Sequence, residues 1–109
     1  MARAATTSDA FNAVAEPRRR EILQFLATGE RSVGEIVMRL GFEQPSVSKH
    51  LRVLLDAGLV VVRKQAQQRI YAVNPLGLAE LEAWLGPYRR LWNDSLDALA
   101  GYLDSEEEN

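Results

Sequence analysis

The sequence predicts a mainly α-helical domain with one small β-hairpin, arranged as a dimeric winged helix-turn-helix. Three patterns favour this fold: a helix, a glycine-containing turn and a second helix over residues 32–57; two short β-branched segments directly after them; and a long leucine-rich stripe near the C-terminal end. The 109 residues are enough for one domain. We expect a flexible arm over residues 1–7, the winged domain with dimerisation helices at both ends over residues 8–103, and an acidic tail over residues 104–109.

The composition argues against several classes of protein. Cysteine is absent and there is one histidine, so we expect no disulfide, no metal site and no cofactor. No apolar segment approaches the roughly 18 to 20 residues of a membrane span, and the N-terminus lacks the apolar region of a secretory signal. We therefore expect a cytoplasmic protein without a membrane partner. No nucleophile–base pair or glycine-rich phosphate loop indicates an enzyme.

Two helices are predicted before the helix-turn-helix. A short helix from about Ser8 carries Phe11 on its apolar face. Pro17 suits the first turn of the next helix, where its missing N–H costs nothing, and that helix stops near Gly29. Three arginines, residues 18–20, occupy its first turn. We favour a solvated surface for them, and contact with flanking DNA phosphates is the alternative.

Local signals mark the helix-turn-helix itself. Ser32 and Glu35 form a capping box, with a serine followed three residues later by a glutamate just before an apolar segment. Gly41 ends that helix, because glycine suits the left-handed position that follows a helix. Pro45 lies at the start of a second helix that extends to about Ala57. A helix, a tight glycine-containing turn and another helix form the helix-turn-helix pattern.

The second helix has one apolar and one polar face. At 100° per residue, Val47, Leu51, Leu54 and Leu55 share the face that packs on the core. The opposite face and its borders carry hydroxyl, basic and imidazole groups, with no acid before Asp56; these residues are Ser46, Ser48, Lys49, His50 and Arg52, with Val53 among them. A face of this kind suits a phosphate-lined groove, whereas an ordinary surface helix would mix both signs of charge.

A hairpin and a charge gradient follow. Residues 59–63 and 70–73 read as two strands, and the basic and amide residues between them predict a wing that lies along the DNA backbone or in the minor groove. Residues 44–74 carry five basic residues against one acid, whereas residues 75–109 carry two basic residues against eight acids. Such a molecule can present one face to a polyanion, although chance clustering on a solvated surface is the alternative.

The last region predicts a long dimerisation helix. Apolar residues recur at spacings of three and four, at Leu78, Leu81, Leu85, Tyr88, Trp92, Leu96, Leu99 and Leu103. We expect a break or kink at Gly86-Pro87. Residues 76–103 would span about 42 Å if wholly helical. The residues before them are too few to cover this stripe, so we expect the same region of a second chain to pack against it.

At this point the chain resembles the ArsR/SmtB family of bacterial winged-helix repressors. The resemblance spans residues 8–103 and is carried by Gln44-Pro-Ser-Val-Ser-Lys-His-Leu-Arg-Val-Leu54, by Ala57-Gly-Leu-Val60 and by the opening segment at residues 11–19. The segment at residues 88–92 is similar to members without metal-sensing motifs. The resemblance implies a homodimer, joined through its first and last helices, that binds an imperfect inverted repeat at a promoter and blocks transcription.

The resemblance also implies residue roles. In the helix, the positions that approach double-stranded DNA match Gln44, Ser46, Ser48, Lys49 and His50, and helical geometry adds Arg52. In the wing they match Arg63, Lys64, Gln68 and Arg69. For the dimer interface we expect Phe11 from the first helix and, from the last, Leu81, Leu85, Tyr88, Trp92, Leu96, Leu99 and Leu103.

The sequence departs from the family in two places. Metal-sensing members have two cysteines where this chain has Ser32 and Gly34, and others have histidine ligands in a last helix that here has none. A small molecule at the dimer interface, a partner protein and no effector at all are therefore alternatives for regulation. Wings of the family often turn on a glycine, and none lies between Arg63 and Tyr71, so we expect a tip that is wider or more mobile. A winged-helix protein-interaction module without DNA binding is the alternative function.

Overall fold

The computed structural model describes residues 5–107, which form five helices and a three-stranded sheet. The helices are α1 (Thr7–Ala15), α2 (Pro17–Leu26), α3 (Val33–Leu40), α4 (Gln44–Asp56) and α5 (Pro75–Glu107), and the strands are β1 (Arg31–Ser32), β2 (Val60–Gln65) and β3 (Gln68–Val73). Residues 1–4 of the predicted arm and residues 108–109 of the predicted tail lie outside the described part of the chain.

The helix-turn-helix forms where its local signals predict it. The Ser32 hydroxyl accepts from the backbone N–H of Glu35, and the Glu35 carboxylate accepts from the backbone N–H of Ser32, which begins α3. Gly41 ends α3 in the left-handed conformation, with φ of 73°. Pro45 lies in the first turn of α4. The predicted start of each helix is therefore confirmed to within a residue.

The sheet differs from the prediction in two ways. Strand β1 was not predicted; it pairs antiparallel with β3, with Arg31 opposite Tyr71, and gives the strand order β1-β3-β2. The prediction of a wider wing tip is wrong, because Gln65 pairs with Gln68 and leaves a two-residue turn. Ala66 allows this turn without a glycine by adopting the left-handed conformation itself, with φ of 54°.

One core joins the helices to the base of the sheet. Its largest fully buried side chains come from four helices or strands and the loop after α4: Ile22, Ile36, Val47, Leu51, Leu54, Leu59 and Val60. Three of these belong to the predicted inner face of α4. Since α4 contributes its apolar face to the centre of the core, its polar face is held toward the outside.

Helix α5 is continuous over 33 residues, a length of about 50 Å. The prediction of a break at Gly86-Pro87 is wrong, because Pro87 lies inside the helix. The helix also extends beyond Leu103, through residues that we assigned to the acidic tail. At its start, Gly77 lies so close to Gly58 that a Cβ on Gly77 would overlap the Gly58 carbonyl oxygen. This contact fixes the beginning of α5 beside the end of α4.

Candidate nucleic-acid interface

The exposed side of α4 carries the residues predicted to approach DNA. Four of them are exposed, namely Gln44, Ser48, Lys49 and Arg52. Ser46 and His50 are half-buried. The six residues therefore lie on the surface of the helix but not on one uniform face, because His50 is turned toward α2.

The two cations of α4 differ in what surrounds them. Arg52 lies 3.4 Å from the carboxylate of Asp56, one turn further along the helix, and both side chains are mostly exposed. Lys49 has no hydrogen-bond or ion-pair partner among residues 5–107. An exposed pair such as Arg52–Asp56 contributes little to stability and can be exchanged for a phosphate contact. Lys49 is available to a phosphate without breaking any contact.

The wing residues divide between the two faces of the hairpin. Lys64 lies opposite Arg69 in the β2–β3 register, on the same face as the buried Tyr71. Because side chains alternate along a strand, Arg63 and Gln68 lie on the other face. The four predicted DNA contacts of the wing are therefore presented in two directions, and Lys64 and Arg69 form one basic pair.

Arg63 is already bound within the protein. Its Nε and Nη2 donate to the two carboxylate oxygens of Glu30 at 3.3 and 2.5 Å, and its Nη1 donates to the side-chain oxygen of Gln65 at 2.8 Å. The hydrogen bond from Arg63 lowers the pKa of Glu30, and the same bond raises the pKa of Arg63. A phosphate would have to displace Glu30 to bind this guanidinium in the same way.

The arginine triplet is not simply a solvated surface. Arg19 donates to backbone carbonyls of Ala13 and Asn12, and Arg20 donates to those of Val14 and Ala15. These carbonyls belong to the last turn of α1, where helical carbonyls have no partner within the helix. The guanidinium of Arg18 lies 4.9 Å from the centre of the Phe42 ring. Both arginines therefore cap α1, and the solvated interpretation is wrong for Arg19, which is half-buried, whereas Arg20 stays exposed.

His50 is held beside this cap. Its Nδ1 lies 3.4 Å from Nη1 of Arg19. Burial and then the charge of Arg19 lower the pKa of His50 from its ordinary value of 6.5. Glu30 was not predicted as part of the site, and for Arg19 the alternative was contact with flanking phosphates, not contact with His50. Their contacts join residues 31 and 33 positions apart, and no local spacing in the sequence indicates such pairs.

The predicted dimer residues fall into two groups. Near the domain, Phe11 packs edge-to-face on Trp84 with ring centres 5.1 Å apart, and Leu81 is packed against the core of its own chain. Farther along, the apolar side chains of α5 are exposed; among them Tyr88, Trp92, Leu96, Leu99 and Leu103 are 49–65% exposed. The described chain therefore leaves a long apolar stripe uncovered.

Membrane-spanning helices and clusters of metal ligands are both absent from the described residues. Within residues 5–107, no helix is both long and apolar enough to cross a membrane. In the same part of the chain, no three histidine, cysteine, aspartate or glutamate side chains are grouped as metal ligands would be.

Known proteins resemble this chain over most of its length. The family model described as "Bacterial regulatory protein, arsR family" matches residues 16–62. The HTH-type transcriptional regulator Rv2034 of Mycobacterium tuberculosis is 40% identical over 97 residues, which cover 89% of this chain and 88% of the relative. The transcriptional repressor SdpR of Bacillus subtilis is 30% identical over 78 residues, covering 72% of this chain and 87% of SdpR.

A solved structure shares the fold. It is the homodimeric winged helix-turn-helix DNA-binding domain of Mb0332 from Mycobacterium bovis, a possible ArsR-family regulator, with a TM-score of 0.64 and 30% identity over 76% of this chain and 77% of that one. The predicted winged helix-turn-helix and the predicted family are confirmed. From its sequence relatives and its fold, this chain belongs to the ArsR family of bacterial DNA-binding transcriptional regulators.

Proposed function

We propose that this regulator is a homodimeric repressor that binds an inverted-repeat operator, with α4 in the major groove and the β2–β3 wing beside it. The observation that carries the proposal is the outer side of α4, where hydroxyls, an amide and the unpaired Lys49 are exposed and the first acid is Asp56. Repression is the activity named for the relative SdpR. The regulator would act in the cytoplasm, where the chromosome lies.

The uncovered stripe of α5 supports the homodimer. A symmetric dimer places the same surface of both chains in contact, so one stripe can cover the other. The related Mycobacterium bovis domain is homodimeric. Two half-sites of an inverted repeat lie roughly 34 Å apart along one helical turn, and they are read by two linked recognition helices. The dimer is therefore required for the proposed mode of binding.

The proposed contacts are of two kinds: some recognise bases, and others bind the sugar-phosphate backbone. Ser48 and His50, with Gln44 and Ser46, reach base edges from α4, where hydroxyl, amide and N–H groups distinguish base pairs. Lys49 from α4 and the wing residues bind the sugar-phosphate backbone. Within the wing, Lys64 and Arg69 are the stronger candidates, since Arg63 is held by Glu30. Gln68 and Arg52 remain proposed contacts, and Arg52 would first leave Asp56.

Two substitutions test this division. Phosphate contacts release counterions and carry little sequence information, so Arg69→Ala should weaken binding to operator and to random DNA alike. It should also reduce the salt slope by about one unit per chain. Ser48→Ala should weaken operator binding by roughly 1–3 kcal/mol if a base contact is lost, with random-DNA affinity nearly constant.

The measurement is the affinity of each variant for both DNAs at several salt concentrations. Arg90→Ala, which removes an exposed arginine from α5, is the matched control for the loss of one positive charge. A change in specificity for Arg69→Ala together with a change only in salt slope for Ser48→Ala would reverse the assigned roles. A wild-type chain that binds no DNA at low salt would favour the protein-interaction module instead.

A further inference from the structure

The side chain of Arg19 is fixed at the junction of three helices. Its Nε donates to the carbonyl of Ala13 at 2.7 Å and its Nη2 donates to the carbonyl of Asn12 at 3.3 Å, both at the end of α1. Its Nη1 lies 3.4 Å from Nδ1 of His50 in α4. Because each guanidinium nitrogen has a partner, Arg19 connects its own helix α2 to both α1 and the recognition helix.

This contact determines which nitrogen of the His50 ring carries the proton. A guanidinium has only donors, so Nδ1 must accept, and a neutral ring then carries its hydrogen on Nε2. Nε2 has no hydrogen-bond partner among residues 5–107, and it is not among the buried polar atoms without one. It is therefore open to a molecule that approaches α4 from outside.

We infer that Arg19 is a positioning residue of the DNA-binding surface: it holds His50 as an Nε2–H donor and thereby directs His50 to hydrogen-bond acceptors in the operator. In the major groove the acceptors are N7 and O6 of guanine, N7 of adenine and O4 of thymine, whereas the cytosine amino group is a donor. The inference rests on the proposed function, since it assigns the chemistry by which one residue of α4 reads a base.

The charges around His50 favour the neutral ring. Burial makes the largest contribution to the lowered pKa of His50, and the positive charges of Arg19, Arg18 and Lys49 act in the same direction. The carboxylate of Glu16 acts in the opposite direction and is outweighed. His50 therefore holds a single N–H at pH 7, and the position of that hydrogen is the property that Arg19 sets.

The chain offers an unambiguous measurement, because His50 is its only histidine. Long-range ¹H–¹⁵N correlation spectra of the full chain, recorded without DNA, distinguish a protonated ring nitrogen from an unprotonated one. We expect the hydrogen on Nε2 and a pKa below 6.5 in the wild type. A ring that carries its hydrogen on Nδ1 in the wild type overturns the inference before any substitution is made.

Three variants separate the contact with His50 from the capping of α1. Arg19→Met removes the donor and the charge, so the two tautomers should mix and the pKa of His50 should rise toward 6.5. Arg19→Lys retains a charged donor and should restore the Nε2–H form. Arg20→Met removes the other arginine that caps α1 but does not contact His50, so the ring should stay as in the wild type. An unchanged tautomer in Arg19→Met overturns the inference.

The same variants are then compared on DNA. Arg19→Met should reduce the ratio of operator to random-DNA affinity by about tenfold, a typical loss for one base contact. His50→Ala should reduce it by a similar factor, and the double variant by no more than either single one. Arg20→Met should leave the ratio unchanged. Additive losses in the double variant overturn the role assigned to Arg19, whereas a wild type without operator preference overturns the proposed function and leaves the tautomer result intact.

Discussion

The positive side chains at the proposed DNA-binding surface are not equivalent. Five basic residues lie within residues 44–74 of the sequence. In the folded chain, Arg52 is paired with Asp56 and Arg63 with Glu30. The other three, Lys49, Lys64 and Arg69, have no partner among the described residues. The charge available to phosphate is therefore smaller than the formal charge of this segment, and it is concentrated on one side of the wing and the middle of α4.

Glu30 provides a test of this difference. We expect Glu30→Gln to free the Arg63 guanidinium for a phosphate and so to steepen the salt dependence of DNA binding by about 0.9 per chain. The double variant Glu30→Gln/Arg63→Gln should return to the wild-type slope, because it removes both charges of a pair that was neutral together. Affinities measured at several salt concentrations give these slopes.

Glu21→Gln is the control for Glu30→Gln, because it removes one negative charge from an exposed position of α2. It should leave the slope unchanged. Equal slopes for Glu30→Gln and the wild type would show that Arg63 does not reach phosphate even when it is released.

At the scale of helices and strands, features set by residues close together in the sequence were predicted well, and features that depend on residues far apart in the sequence were not. The capping box at Ser32 and the left-handed Gly41 are local signals, so α3 was predicted closely. Strand β1 has two residues, too few for an alternating pattern, and it forms only because β3 lies beside it. The inner face of α4 follows from its periodicity, whereas the pairs Arg19–His50 and Glu30–Arg63 depend on the complete fold.

The contact between the loop after α4 and the start of α5 is a further element-scale feature that the sequence did not indicate. A Cβ on Gly77 would lie 2.1 Å from the carbonyl oxygen of Gly58, so backbone would have to move. We expect Gly77→Ala to lower the free energy of unfolding by about 1–3 kcal/mol, the usual cost of overpacking. Denaturant unfolding followed by circular dichroism measures it.

Gly101 is the matched control, because it is also a glycine of α5 but a Cβ there meets nothing within 4 Å. Gly101→Ala should raise stability by about 0.5–1 kcal/mol, since alanine is the better helix former. If both substitutions stabilise the chain by similar amounts, α5 does not begin against the end of α4 as described.

At the scale of the whole molecule, the chain is elongated and its charge is polarised. The described residues extend over 67 × 34 × 21 Å, with α5 as the longest element. The basic wing and α4 lie before α5 in the chain, and the region from residue 75 onward has a net charge of −6. The acidic helix would be repelled by DNA, which favours one orientation of the regulator on its operator.

The exposed stripe of α5 gives a prediction about assembly. Replacing Leu96 and Leu99 together with Glu should convert a dimer at micromolar concentration into a monomer, because four carboxylates would then face each other across the interface. Sedimentation velocity measures the mass, and circular dichroism checks that the variant remains helical. Operator binding should be lost with the dimer.

A control of equal charge uses positions away from the stripe. Asn93 and Ala100 are exposed on α5 and lie off the line of its apolar residues, so Asn93→Glu/Ala100→Glu should remain dimeric. A wild-type chain that sediments as a monomer would contradict both the dimer and the proposed geometry of operator recognition.

The turn of the wing has a consequence for how this chain can be improved. Ala66 holds a left-handed conformation that costs an L-residue roughly 1–2 kcal/mol and that glycine adopts freely. Ala66→Gly should therefore raise the melting temperature, whereas Ala79→Gly, in an exposed position of α5, should lower it. The turn of the wing is therefore less stable than it could be, which is common because natural proteins are rarely at their optimum stability. Ala66→Gly is therefore a first substitution to make when a thermally more stable form of this DNA-binding protein is wanted.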